Sequence, residues 1–240
     1  MKRLVLLVLV LTLLNVGASG QTKINLGTAN NFGVLAGSGI TNTSANTYII
    51  GGVGSYPTCG VTGLVQTQVK GHLYLSCSPV VAQAQNDLGL AYNQAAGEPC
   101  GTNLTGQDLG GMTLTPGVYC FSSSAGLTGT LTLDAQGNKD AQWVFQIGST
   151  LTTASNSLVA VIIGKKPKVR PLWGTLKRGC NVYWQVGSSA TIGTGSNFMG
   201  EIMALTSITL DGGVLKGKAL ASNGAVTMSA QETVDGGRCL

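Results

Sequence analysis

The chain has 240 residues, 36 of them glycine, and only 10% are charged. So little charge beside regular apolar patterning excludes a disordered chain and leaves material for a sizeable core. The net charge of +5 is too mild to point to nucleic acid as a partner.

The chain opens with the basic start Met1-Lys2-Arg3, an apolar run from Leu4 to Leu14, and the small residues Ala18-Ser19-Gly20. These are the parts of a secretory signal over residues 1–20, with a mature, extracellular chain from Gln21 as a single domain to residue 240. The apolar run is short for a membrane span, and no other segment is a membrane candidate. Residues 24–54 alternate short apolar pieces (Phe32 to Ala36, Tyr48 to Ile50) with Gly, Asn, Ser and Thr, and read as strands and corners. Asn42-Thr43-Ser44 and Asn103-Leu104-Thr105 are glycosylation acceptors if the source is eukaryotic.

Residues 78–97 differ in kind. Ser78 suits a helix cap, Pro79 a first helical position and Gly97 a stop. Val81, Ala84, Leu88, Ala91, Tyr92 and Ala95 recur at helical spacing. One amphipathic helix over 79–96 is predicted, packing along a flank of the remaining structure.

The six cysteines are Cys59, Cys77, Cys100, Cys120, Cys180 and Cys239, and an even number behind a secretion signal favours disulfides. Cys77 and Cys100 flank the helix, whose ends lie about 27 Å apart at roughly 1.5 Å per residue. They are not expected to pair with each other, since a disulfide needs α-carbons within roughly 7 Å. Cys59–Cys77 and Cys180–Cys239 stand as first candidates. A zinc site is disfavoured, because no CxxC occurs and His72 is the sole histidine. No cofactor is expected.

The second half carries a repeat. Met112-Thr113-Leu114, Leu131-Thr132-Leu133, Ser149-Thr150-Leu151, Ala190-Thr191-Ile192, Ile208-Thr209-Leu210 and Val226-Thr227-Met228 share one form. Thr191, Thr209 and Thr227 fall 18 residues apart, and Gly200-Glu201-Ile202-Met203-Ala204 is echoed 17 residues on by Gly217-Lys218-Ala219-Leu220-Ala221. So short a unit cannot bury its own apolar face and must stack on its neighbours. About 18 residues per coil suits short strands with Gly-, Ser- and Asn-rich corners, whereas helical repeats need roughly 33 to 47. A β-solenoid is predicted, with Thr113, Thr132, Thr150, Thr191, Thr209 and Thr227 as a ladder on one face. Strand alternation puts their neighbours inside.

The phrases LGTANNFGVLAGSGITNT, AQAQNDLGLAYNQAAG, LTPGVYCFSSSAGLTGTLTLDAQG, CNVYWQVGSSATIGTGSNF and ALASNGAVT, from Ile24 to Thr233, resemble the secreted microbial ice-binding (antifreeze) protein family. The resemblance implies a mainly β fold: a right-handed parallel β-solenoid of triangular cross-section, discontinuously stacked, with one long helix alongside. It implies an N-terminal coil inserted among C-terminal ones, and ice as the partner of a monomer whose flat threonine-rich face inhibits ice growth and recrystallisation. It also supplies a second set of site residues through the family motif T-[A/G]-x-[T/N]: Thr28 and Asn31, Thr153 and Asn156, Thr194 and Asn197. The resemblance favours this set, and regularity favours the ladder. The basic insertion 165–178 departs from the family pattern and reads as an extended surface loop or an anion-binding appendage.

Two other classes compete with this reading. An enzyme acting on polysaccharide needs clustered carboxylates. No two of the nine acids fall on matching positions of adjacent coils, and no catalytic Ser-His-Asp set is available around His72. A secreted adhesin or cell-surface structural module with the same fold is the alternative, and Glu201, Lys216 and Lys218, expected on one side, mark that side as the poorest ice face.

Overall fold

The computed structural model describes residues 22–162 and 181–237. The expected signal over 1–20, the basic insertion 165–178, and Cys180 and Cys239 lie outside the described residues.

The fold is mainly β with one long helix, and its strands pair in parallel. The Gly200–Ala204 pentapeptide pairs residue by residue with Gly217–Ala221, and Thr191, Thr209 and Thr227 lie side by side. Among the described residues the strands form two sheets, one of 14 and one of seven. The larger sheet supplies two faces, because Ser196–Ala204 and Gly213–Ala221 turn a corner inside the strand. Before the corner Asn197 pairs with Leu158, and after it Glu201 pairs with Tyr183. Gly200 makes that corner at φ +121°, and a Cβ there would sit 2.6 Å from the Trp184 indole nitrogen.

The order of stacking departs from the order of the chain. Val34 pairs with Ala219, Thr41 with Thr227 and Ile49 with Val234, so the N-terminal residues continue the stack beyond the last C-terminal coil. That is why residues 24–54 carry no repeat of their own: their neighbours are distant in sequence. Inside, equivalent positions of adjacent coils stack along the axis. Phe145 lies on Trp184 with centroids 3.9 Å apart, flanked by Tyr119 at 5.5 Å and Phe198 at 4.9 Å.

The helix spans Pro79–Gly97, with the Ser78 hydroxyl accepting from the Val80 N–H at its start. Its buried residues are Val81, Ala84, Leu88, Ala91 and Ala95. The alanines in that stripe let it lie close to the sheet. At about 1.5 Å per residue it is about 28 Å long. Seven strands of the face beneath it, at about 4.8 Å spacing, span about 29 Å. The helix is thus the return strut that carries the chain from one end of the stack to the other. Each end is tied to the solenoid by a disulfide: Cys59–Cys77 at the start, with α-carbons 5.0 Å apart, and Cys100–Cys120 at the finish, 5.9 Å apart. Gln146 also donates to the carbonyls of Ala95 and Glu98, satisfying the helix's last turn.

The segment 22–31 fills the rest of this face. Gln142 donates to the Thr22 carbonyl, Gln94 clamps the Lys23 carbonyl and the Asn25 N–H, and the Tyr183 hydroxyl donates to the Ile24 carbonyl. Under this cover Lys218 and Glu201 are wholly buried, 3.2 Å apart. Lys216, expected on the same side, lies before the Gly217 corner and so belongs to the third face.

Candidate functional site

Nothing among the described residues covers the seven-stranded sheet. Each of its strands is two or three residues long, which leaves room for one outward side chain. The flanking residues, such as Ala190 and Ile192, Ile208 and Leu210, or Val226 and Met228, are buried. The outward positions pair in one unbroken register: Gly126 with Thr152, then Thr191, Thr209, Thr227, Thr41 and Thr62. Six threonines therefore stand in a single rank on six adjacent strands, about 4.8 Å apart and about 24 Å from first to last. Each is β-branched and backed by a hydrogen-bonded strand, so its methyl and hydroxyl hold a fixed orientation.

A second rank lies two residues earlier. Ser124, Thr150, Ser189 and Ser207 stand beside Gly126, Thr152, Thr191 and Thr209. Their hydroxyls tie adjacent coils together: Thr150 donates to Ser124 at 2.8 Å, and Ser189 and Ser207 accept from the N–H groups of Ser207 and Ala225. The face ends in carboxylates rather than containing them. Asp211 sits in the corner after Thr209 and accepts from Ser229 at 2.5 Å. Asp108 sits at the far end beside Gly126. Partial burial works to raise the Asp108 pKa, but hydrogen bonds from the Thr128 and Gly110 N–H groups and the Thr128 hydroxyl outweigh it and hold the carboxyl below its ordinary range.

The two expected site sets fare differently. Of the regular set, Thr191, Thr209 and Thr227 belong to this rank. Thr113 and Thr132 pair with each other on the third face, where Thr132 next meets Ala160. Thr150 is in the second rank, and the ladder residue of its coil is Thr152. The motif residues do not share a face. Thr28 is spent on the helix, its N–H and hydroxyl both donating to Asp87 at 2.7 and 2.6 Å, with Asn31 exposed beyond it. Thr153 points inward at 4% exposure and accepts from the Gly193 N–H. Asn156 occupies a turn at φ 60°, Thr194 is exposed in the equivalent turn, and Asn197 stands on a third-face strand. The motif falls in a 3-10 helix at Gly27–Asn31 and in turns at the other two places, where the left-handed residues are Asn156 and Gly195.

The match to known proteins is decisive for the family. The "Ice-binding-like" family model matches residues 34–234. This chain belongs to the ice-binding-like family. It is similar to an ice-binding protein of Nostoc sp. (strain HG1), 52% identical over 86% of this chain and 72% of that protein. Its fold is similar to that of an ice-binding protein from an Antarctic biological consortium, at TM-score 0.75 and 39% identity over 89% of this chain and 90% of that one. It is also similar to an ice-binding protein from an Arctic yeast whose structure addresses antifreeze activity, at TM-score 0.75 and 30% identity, covering 88% and 94% of the two chains.

Within this ice-binding-like chain, sequence reasoning missed Thr41, Thr62 and Thr152. Ile40-Thr41-Asn42 does carry the outward-threonine form, but its neighbours in the rank lie almost 190 residues away, Thr41 against Thr227. Thr152 was hidden by its neighbour Thr153, a second threonine at the position that Leu127, Ile192, Leu210 and Met228 take in other coils. Glu201 is joined to Lys218, Asp87 to Thr28 and Asp211 to Ser229. Among the described residues no helix is long and apolar enough to cross a membrane.

Proposed function

We propose that the protein is secreted as a monomer and adsorbs to ice through the threonine face, with Thr152, Thr191, Thr209, Thr227, Thr41 and Thr62 as the contacting rank. The observation that carries this reading is their continuous register on six adjacent strands. Ice offers a repeating lattice, and an evenly spaced rigid rank meets it without ordering cost on adsorption. The methyls order nearby water and the hydroxyls join the lattice. Neither cofactor nor catalytic group is required. Ice then grows only as bulges between adsorbed molecules, and the added curvature lowers the local freezing point. At lower coverage the same adsorption slows recrystallisation. The names of the relatives, all ice-binding proteins, support this reading over a structural adhesin. The signal-like first 20 residues support secretion.

The test is ice recrystallisation inhibition by the folded mature chain, with Thr209→Tyr and Thr132→Tyr beside it. A tyrosine at Thr209 stands proud in the middle of the rank and should reduce inhibition more than tenfold with unchanged melting. The same change at Thr132, on the third face, should leave inhibition intact. Equal loss from both, or none from Thr209→Tyr, would remove the threonine face from contention.

A further inference from the structure

The rank of threonines has an abrupt end, and that end is built. Resting on the reading of this face as the ice-contacting one, we propose that Asp108 and Gly126 form a stop that terminates ice contact at Thr152 and so sets the extent of the binding surface.

Three observations carry it. First, the column does not run out of backbone where the threonines cease: Gly126 pairs with Thr152, and Asp108 is bridged in parallel to Gly126. Two further positions stand in line with the rank and neither is threonine. Second, the Gly126 position is crowded. Its φ is not among the positive values that would call for glycine, so the backbone there suits any residue. What crowds a side chain is Asp108: a Cβ on Gly126 would lie 3.1 Å from Asp108 Oδ2, so the anchored carboxylate would have to give by a few tenths of an ångström. Third, the carboxylate is anchored. It accepts from the Gly110 N–H at 2.7 Å, the Thr128 N–H at 2.9 Å and the Thr128 hydroxyl at 3.0 Å. An exposed carboxylate fixed at one point orients its own hydration shell, and those waters cannot also take lattice positions. The missing side chain at Gly126 separates that charge from Thr152 by one rank.

The experiment compares Asp108→Asn and the double variant Asp108→Ala/Gly126→Thr with the parent, reading the lowest concentration that halts recrystallisation, with thermal melts as the folding check and Thr209→Tyr as the control on the face itself. Asparagine keeps an oxygen that accepts from Gly110 and Thr128 while removing the charge, so the single variant folds even if the double one does not. Asp108→Asn should lower the required concentration, and the double variant should lower it further, on the order of twofold in all. Moving the stop inward with Thr152→Asp should raise it by more than that. An unchanged or higher endpoint for folded Asp108→Asn, while Thr209→Tyr abolishes inhibition, overturns the stop and leaves the ice face standing. Inhibition retained by Thr209→Tyr overturns the ice face instead.

Discussion

The helix-side face and the threonine face are made by the same coils, yet they solve opposite problems. On the helix side the outward residues include Val144, Tyr183, Met203 and Leu220, with Gln146, Gln185, Glu201 and Lys218 among them. That surface is irregular in size and polarity, and it is sealed by the helix and the 22–31 segment. Polar groups there take dedicated partners: Gln146 takes helix carbonyls, Gln185 takes the Tyr92 hydroxyl, and Glu201 takes Lys218 through Oε1, with its Oε2 buried and unpartnered. On the threonine face one side chain repeats, and nothing among the described residues covers it. Stability is therefore concentrated on the first face, and recognition on the second. Keeping them apart lets the bare face stay rigid, because the strut that holds the coils together is on the other side.

The sharpest break in that division is Lys218→Met. It leaves Glu201 buried without its ion, a loss of about 3–5 kcal/mol. Burial already holds the Glu201 carboxyl above its ordinary range even against the Lys218 ammonium. The double change Glu201→Leu/Lys218→Met should recover most of the loss in denaturant melts, and either variant, while folded, should inhibit recrystallisation as the parent does. Leu88→Ala, which opens a cavity under the middle of the helix, should cost about 3 kcal/mol. It too should leave the threonine face active near freezing. A parallel fall in activity for either variant would show that the helix shapes the ice face and that the separation is false.

The third face supplies a smaller, pH-dependent effect. Glu232 points inward from its strand, and burial, with the nearby Asp211 charge adding to it, raises its pKa to about 7 from 4.5, against the Gly212 and Leu215 N–H groups. A carboxyl whose folded pKa is raised contributes stability that is full below the unfolded value and is lost as pH rises through the folded one. Stability attributable to Glu232 should thus fall between pH 4.5 and about 7, by at most about 3 kcal/mol. Glu232→Gln should flatten that slope, its gain over the parent appearing only at the alkaline end. Melts of the two proteins across this range measure it, and parallel curves would refute it.

Much of this was legible in the chain itself. The helix over 79–96 was set by its capping Ser78, its Pro79 and its apolar spacing, all local, and is found at Pro79–Gly97. Cys59–Cys77 forms as expected, and the argument that Cys77 and Cys100 cannot meet holds because a straight helix keeps them apart. The partner of Cys100 proved to be Cys120, which stacking brings beside the helix end. The glycosylation reading also divides: Asn42 is buried, its amide donating to the Ser44 and Gly63 carbonyls, while Asn103 stays exposed.

The sequence by itself determined that short parallel strands must stack, that Thr191, Thr209 and Thr227 lie in line, and that one helix flanks them. Each of those follows from a period or a cap, which is local or strictly repeating. Which threonines share a face was decided only in three dimensions. An apolar-Thr-apolar triplet says that its threonine points outward, but every strand of every face has the same alternation, so Thr132 and Thr209 look alike in the chain. Corners at Gly200 and Gly217, the insertion after Ile162, and the stacking of residues 32–73 beyond the last coil shift the count from one turn to the next. The ladder is a property of long-range register, and register is set by how whole coils pack.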